Sequence, residues 1–132
     1  MGSFYTPCTV QNPTNRALSV EIPKLLVDTG IEYTWIPETE LHGLGIGKEK
    51  KDVAFLMANG QQITRNVGFA ILRVDEHFTI DEVVFAQEGD LLLLGSRTLE
   101  GLNLTIDPRL KRLVAAGPLP AAEAREADYT NA

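Results

Sequence analysis

Short runs of β-branched and aromatic residues dominate the chain, and Gly, Pro, Asn and Asp separate these runs. This pattern is typical of β-strands joined by turns. It predicts strands over residues 4–10, 17–27 with an interruption at Pro23, 34–36, 53–58, 61–74, 78–86, 91–94, 104–107 and 113–114. Two short helices are predicted over residues 37–44 and 96–102. The expected fold class is therefore all-β with one or two short helices.

Turn chemistry supports three of these elements. Pro37 suits the start of the first helix, because its missing N–H needs no partner there. The Ser96 hydroxyl can cap the second helix. Asn59-Gly60 is typical of a two-residue hairpin turn, since both residues tolerate a positive φ. The strands on either side are expected to form a hairpin that projects from the sheet.

One strand end carries a carboxylate. Residues 25–27 read Leu-Leu-Val, and Asp28-Thr29-Gly30 follows directly. A strand that is apolar on both faces is expected at the buried centre of a sheet. Burying an isolated carboxylate is costly, so an acid there needs a partner or a catalytic purpose. Two facing carboxylates would share one proton and provide a base beside an acid, although Asp-Thr-Gly is also an ordinary turn sequence.

Length and composition indicate one globular domain. The chain has 132 residues, of which 44% are hydrophobic and 23% are charged. The domain is expected to span residues 1–114. Residues 115–132 are rich in Ala and Pro and have no periodic apolar face, so they are expected to form a flexible tail.

The charge balance argues against several partners. The formal net charge is −6, and no basic run is longer than Lys50-Lys51. This composition does not favour binding to nucleic acid or to anionic lipid. The apolar runs are far shorter than the roughly 20 residues of a membrane span, and the N-terminus lacks a signal-peptide pattern. We expect a cytoplasmic protein with no nucleic-acid or membrane partner.

Metal chemistry is not expected either. Cys8 is the single cysteine, and His42 and His77 are the only two histidines. These residues lack the clustered spacing that zinc and iron–sulfur sites require. Neither a metal nor another cofactor is therefore predicted.

The residues around Asp28 resemble a known family. Thr-Trp-Ile-Pro follows the tripeptide at 34–37, and a distant Leu91 to Gly95 segment precedes a helix. Over residues 17–114 the chain resembles the retropepsin-like aspartic proteases, with the elements in the same order. Asp28-Thr29-Gly30 matches the catalytic loop of that family, residues 53–67 match its flap hairpin, and residues 93–95 match its hydrophobic-hydrophobic-Gly motif.

The resemblance is closest to the small bacterial single-domain members. Those proteins share a helix that ends in Leu-Gly-Ile, here residues 44–46, and a terminal Ile-Asp-Pro, here residues 106–108. The Arg-Leu-Val that follows in them is found here at residues 112–114. The resemblance implies a closed antiparallel β-barrel that is active as a two-fold homodimer. The absence of a second Asp-Ser/Thr-Gly in the chain agrees with this expectation.

The resemblance also implies a function and a set of site residues. The function is an aspartic endopeptidase that activates water at an Asp28 dyad formed across the homodimer, with a peptide or protein as substrate. Thr29 would hydrogen-bond across the two-fold axis, and Gly30 would let the substrate backbone approach closely. The implied substrate-binding residues are Ile31, Glu32, Met57, Ala58, Asn59, Gly60, Gln61 and Leu94.

Departures from the family pattern keep an alternative open. Ile31 stands where family members generally carry Ala or Ser, and Ser96 stands where viral members carry Arg. The alternative is a catalytically inactive, dimeric peptide-binding or assembly module with the same fold. A third interpretation is an autoprocessing fragment of a longer protein.

Two further residues have alternative interpretations. Trp35 is expected to pack in the core or an interface, or else to form a subsite wall. Glu32 is placed to contact a peptide backbone or a base across the dimer such as Arg16 or Arg97, or to remain a solvated carboxylate.

Overall fold

The computed structural model describes residues 4–122 of the chain. Within that part, nine strands and two short helices form. The strands are β1 (Tyr5–Asn12), β2 (Asn15–Val27), β3 (Thr34–Pro37), β4 (Lys50–Leu56), β5 (Gln62–Val74), β6 (His77–Ala86), β7 (Leu93–Leu94), β8 (Leu104–Asp107) and β9 (Arg112–Ala115). The helices are α1 (Glu38–Gly43) and α2 (Ser96–Leu102). The prediction of an all-β fold class with one or two short helices is confirmed.

The strands of the described region form two sheets. Seven strands pair in the order β1-β2-β7-β3-β6-β5-β4, and β8 pairs with β9 separately. Because β1 also pairs with β5, the hydrogen-bonded order closes on itself. The pairings of β2 with β7 and of β3 with β6 are parallel. The expected antiparallel arrangement therefore also contains parallel pairings, since long crossovers rather than hairpins bring these strands together.

The second strand is irregular at its proline. Thr6 pairs with Leu25 and Cys8 pairs with Ile22, so that two residues of β2 lie opposite one residue of β1. Pro23 lies in this extra segment, where its missing N–H interrupts no regular ladder. The interruption predicted there is a β-bulge within one continuous strand.

Alternation along the strands separates two apolar clusters. The main core contains Val83 and Leu94, which are both fully buried, together with buried residues of both helices. A second cluster contains Val84 and Leu93, the immediate neighbours of those residues, and also Trp35. Successive side chains of a strand point to opposite faces, so the sheet places one cluster on each side.

The two helices are short and begin as the sequence indicates. Pro37 directly precedes α1, and Glu38 and Glu40 lie in its first turn, near the positive end of the helix dipole. Ser96 is the first residue of α2, and no side-chain hydrogen bond caps that helix. The predicted Ser96 cap is therefore wrong. Neither helix of the described region is long and apolar enough to cross a membrane.

Hydrogen-bonded structure continues past residue 114, the predicted end of the domain. Strand β9 runs to Ala115. The Ala116 N–H donates to the Asn103 carbonyl over 2.9 Å. The Asn103 side-chain amide donates in turn to the Gly117 carbonyl over 2.8 Å. Residues 123–132 of the predicted tail lie outside the described residues.

Candidate active site

Asp28 leaves the sheet where β2 pairs with β7. Its N–H donates to the Leu94 carbonyl over 3.1 Å, and the Leu26 N–H donates to the Leu92 carbonyl over 3.2 Å. Leu25 and Val27, the buried residues of this strand end, hold it in the main core. These bonds and contacts fix the direction in which the Asp28 carboxylate leaves the strand.

The loop after β2 orients this carboxylate. The Gly30 N–H donates to Asp28 Oδ1 over 2.9 Å. A Cβ at residue 30 would lie 3.3 Å from the same oxygen, so glycine leaves room for the contact. Asp28 is half-buried, whereas Thr29 and Gly30 are exposed. The strand pattern favoured a buried carboxylate, but the single chain leaves it partly open to solvent.

The first turn of α2 holds the next part of the loop. The Ser96 N–H donates to the Ile31 carbonyl over 2.8 Å, and the Arg97 N–H donates to the Glu32 carbonyl over 3.1 Å. The first amides of a helix have no partner inside the helix. Here they bind backbone carbonyls, which explains why α2 needs no side-chain cap. The helix thereby fixes the loop that carries Ile31 and Glu32.

Gly95 permits this close approach. A Cβ at Gly95 would lie 2.4 Å from the Glu32 carbonyl oxygen and 2.5 Å from the Tyr33 carbonyl oxygen. The Gly95 N–H donates to the Thr34 hydroxyl oxygen over 3.0 Å. That hydroxyl also lies 2.6 Å from the Thr98 hydroxyl, in a fully buried hydrogen bond. The Gly of the hydrophobic-hydrophobic-Gly motif is therefore required by packing against the loop.

A groove of about 460 Å³ opens beside Asp28. One wall is the loop after β2, with Gly30, Ile31 and Glu32. The opposite wall is the β4–β5 hairpin, residues 55–58. Residues 90, 91 and 93, before and at the start of β7, also line the groove, and Tyr33 and Trp35 complete the lining. Most of these lining residues are apolar, as in many ligand-binding clefts.

Three aromatic rings form the base of the hairpin wall. Tyr33 and Phe55 meet edge to face with their centroids 5.6 Å apart, and Trp35 and Phe55 meet at 5.2 Å. The Arg97 guanidinium lies 4.9 Å from the Tyr33 ring centroid. Trp35 is buried in the second cluster and also lines the groove. The expected packing of Trp35 is confirmed, and its role as a subsite wall stays a prediction.

The hairpin turn differs from the predicted one. The Gly60 N–H donates to the Met57 carbonyl over 2.9 Å, and the Met57 N–H donates to the Gln61 carbonyl over 2.8 Å. Gly60 has a φ of 85°, and Asn59 is not among the residues with a positive φ in the described region. These features indicate a three-residue loop with a bulge at Gly60 rather than a two-residue turn.

The structure brings together only some of the predicted site residues. Asp28, Gly30, Ile31, Glu32, Met57 and Ala58 line one groove. Thr29 and the hairpin-tip residues Asn59, Gly60 and Gln61 do not line it. Leu94 does not belong to the groove, because its side chain is fully buried in the main core. Its neighbour Leu93 points the other way and lines the groove instead.

Sequence reasoning missed several groove residues. They are Tyr33, Phe55, Leu56, Asp90, Leu91 and Leu93. Strand alternation can predict the position of Leu93. Adjacent side chains of a strand point to opposite faces, so Leu93 faces the groove once Leu94 is known to face the core. No local sequence pattern predicts that Asp90 lines the groove, because its side chain is held by an ion pair with a residue far away in the chain.

That ion pair joins the β4–β5 hairpin to the segment that precedes β7. Arg65 Nε donates to Asp90 Oδ2 over 2.7 Å, and an Nη of Arg65 donates to Asp90 Oδ1 over 2.9 Å. The side chains are 14% and 12% exposed. The hydrogen bonds from Arg65 hold the pKa of Asp90 below its ordinary value. Residue 65 on β5 thereby ties the hairpin to the rim of the groove.

A second cavity, of about 480 Å³, adjoins the loop after β2 at Thr29. It is lined by Thr29, by α2 residues including Leu99, and by Leu104, Ile106 and Pro108. This surface adjoins the exposed tripeptide loop. Within residues 4–122, no group of three or more His, Cys, Asp or Glu side chains is arranged to hold a metal ion.

Comparison with known proteins identifies the family. No curated protein matches the chain. A family model described as aspartyl protease matches residues 19–98, which include the Asp28 loop, the hairpin and Gly95. The match covers more than half of the 132 residues. The chain therefore belongs to the aspartyl protease family, as its resemblance to the retropepsin-like members indicated.

Proposed function

We propose that this protein is an aspartic endopeptidase whose active site forms when Asp28 of two identical chains meets across a two-fold axis. The observation that carries the proposal is a single oriented carboxylate beside an apolar groove, with a hairpin as the opposite wall. The chain has one Asp-Thr-Gly, so one copy holds half of a dyad. The closed strand order would be the retropepsin-like barrel.

The surface around Thr29 supports pairing of two copies. Thr29 and Gly30 are exposed in the single chain. The adjoining cavity is lined by α2 and β8, which contribute the apolar residues Leu99, Leu104 and Ile106 and the polar residues Ser96, Glu100 and Thr105. A second copy that covered this surface would bury the loop and bring the two carboxylates together. Burial of both acids would then favour one shared proton.

The proposed reaction uses the dyad as base and acid. The ionised carboxylate takes a proton from a water molecule, whose oxygen adds to the peptide carbonyl carbon. The protonated carboxyl donates to the carbonyl oxygen, which gives a tetrahedral diol. When the C–N bond breaks, the amine leaves with a proton from one carboxyl group. A hydroxyl of the diol passes its proton to the other carboxylate as the product carboxylic acid forms, so the dyad again holds one proton. The Gly30 N–H keeps Asp28 Oδ1 in place during these transfers.

Digestion of a peptide library by the wild-type protein and by Asp28→Asn tests the proposal. Asp75→Asn is a matched control with the same chemical change. Residue 75 has a φ of 53°, which asparagine tolerates. We expect the wild type and the control to cleave and Asp28→Asn to lose cleavage. Cleavage that survives in Asp28→Asn would refute the proposed chemistry.

The concentration dependence tests the dimer. If a monomer is inactive, activity falls more steeply than linearly with dilution near the dimer dissociation constant. Sedimentation at the same concentrations measures the fraction of dimer. Activity proportional to concentration in samples shown to be monomeric would contradict a dyad shared between two chains.

Ile31 supports a second candidate, a peptide-binding or assembly module without catalysis. Its side chain is 39% exposed and lines the groove next to Asp28. A branched side chain there narrows the space for a scissile bond. The module is favoured if the wild type and Ile31→Ala both bind peptides and neither cleaves them.

A further inference from the structure

The groove contains a carboxylate that the proposed chemistry does not use, Glu32. This residue is exposed and lines the groove on the same wall as Gly30 and Ile31. Its carbonyl accepts the Arg97 N–H over 3.1 Å. The start of α2 therefore fixes the backbone of Glu32, while its side chain stays accessible from the groove.

The Glu32 carboxylate has no charged partner within residues 4–122. The ion pairs found there are Lys50 with Glu82, Arg97 with Glu82, and Arg65 with Asp90. Arg97 is bound next to Glu32 through the backbone, but its guanidinium lies over Tyr33 and 3.3 Å from Glu82. The Arg97 guanidinium therefore contacts Tyr33 and Glu82 and does not pair with the Glu32 carboxylate.

Glu32 is the carboxylate of the groove that remains available to bind a positively charged group. Among the described residues that line it, the charged ones are Asp28, Glu32 and Asp90, and none is basic. Arg65 neutralises Asp90 through two hydrogen bonds. Asp28 belongs to the proposed dyad. Much of the remaining wall is apolar, so Glu32 is one negative charge beside a hydrophobic surface.

We propose that Glu32 selects peptide substrates that carry a lysine or arginine beside an apolar segment. This inference rests on the proposed function, because it assigns a substrate class to the same groove. Glu32 lies four positions after Asp28 in the sequence, and an extended chain spans at most about 3.5 Å per residue. The basic side chain therefore lies within about four residues of the scissile bond.

The expected preference is moderate. A charge pair that stays in contact with solvent contributes at most ~1 kcal/mol, which corresponds to about a two- to fivefold preference over a neutral residue. Salt screens such a pair, so the preference should shrink as ionic strength rises. A preference that came from apolar packing of the lysine stem would persist in high salt.

The experiment measures peptide binding and cleavage in parallel. A set of peptides carries an apolar segment, with one Lys or one Gln placed at each position within four residues on either side. Binding is followed through Trp35, the single tryptophan of the chain, which lines the groove. The variants are Glu32→Gln and, as matched control, Glu88→Gln. Glu88 is exposed and does not line this groove.

We expect wild type and Glu88→Gln to prefer a Lys peptide about two- to fivefold at low salt. Glu32→Gln should bind the Lys and Gln peptides equally. The inference is overturned if the wild type shows no preference, or if Glu32→Gln keeps it. If Glu32→Gln keeps the preference and also weakens the dimer, the role of Glu32 is instead to pair with the partner subunit.

The two readouts separate this inference from the proposed function. A preference in binding without cleavage of any peptide would support the role of Glu32 and count against the endopeptidase. Cleavage without any preference for Lys or Arg would support the endopeptidase and overturn the role of Glu32.

Discussion

The ion pair between Arg65 and Asp90 offers a direct test of how the groove is held together. Arg65→Met removes the guanidinium but keeps an unbranched apolar side chain in place of the arginine stem. Asp90 then keeps its bond from the Gln87 N–H over 2.8 Å but loses both bonds from Arg65. A largely buried carboxylate is left without its counter-charge.

The magnitude follows from the geometry and exposure. Hydrogen bonds to charged groups contribute about 1.5–3 kcal/mol, and breaking a fully buried ion pair costs about 3–5 kcal/mol. The side chains here are 14% and 12% exposed and retain some solvent, so the lower range applies. We expect Arg65→Met to lower the free energy of unfolding by about 2 kcal/mol. With an m-value of about 2 kcal/mol per molar urea, the midpoint falls by about 1 M.

The stability that the Arg65–Asp90 ion pair contributes should decrease at acid pH. Arg65 holds the pKa of Asp90 below its ordinary value in the folded protein. The pair therefore makes its full contribution to the free energy of unfolding at pH values above the unfolded-state pKa of about 3.9. That contribution is lost as the pH falls through the pKa of Asp90 in the folded protein. The difference between the wild type and Arg65→Met should be constant near neutrality and shrink below about pH 4.

Urea denaturation at fixed protein concentration, followed by Trp35 fluorescence and circular dichroism, measures this difference. The control is Lys50→Met, because Lys50 is 53% exposed and its partner Glu82 keeps Arg97. The control midpoint should hardly move. Equal shifts in both variants, or a difference that grows at acid pH, would refute the reasoning.

Two further predictions concern Gly95 and Cys8. Gly95→Ala should destabilise the fold by about 3 kcal/mol or more in urea denaturation, because the new Cβ would lie 2.4 Å from a backbone oxygen. Gly43→Ala, where nothing lies within 4 Å, should change stability by less than about 1 kcal/mol, and equal effects would contradict this account. Burial raises the pKa of the Cys8 thiol to about 12, so a thiol reagent should modify it only after unfolding. Rapid labelling of the folded protein would show that this strand opens.

The strand pattern of the sequence predicted most of the fold. Runs of β-branched residues and the turns between them gave each strand of the described region to within a few residues. The exceptions have physical causes. Residues 91 and 92 precede the two-residue strand β7, which is only as long as its pairing with β2 and β3. The hairpin turn took a bulged form, since only Gly60 adopts a positive φ.

The site was predictable where it is local and not where it depends on contacts between distant elements. Asp28, Gly30, Ile31 and Glu32 are consecutive or nearly so, and one loop carries them into the groove. Asp90 reaches the rim through an ion pair with a residue 25 positions away. No local pattern predicts such a pair.

The sequence by itself determined that an apolar strand ends in a single Asp-Thr-Gly and that a hairpin and a Gly-led helix follow in order. Hydrophobic periodicity and turn chemistry are local properties, so they can be deduced from the chain alone. Only the tertiary structure decided that Leu93 rather than Leu94 lines the groove. A strand has two faces, and its pairing with other strands determines which face meets the core.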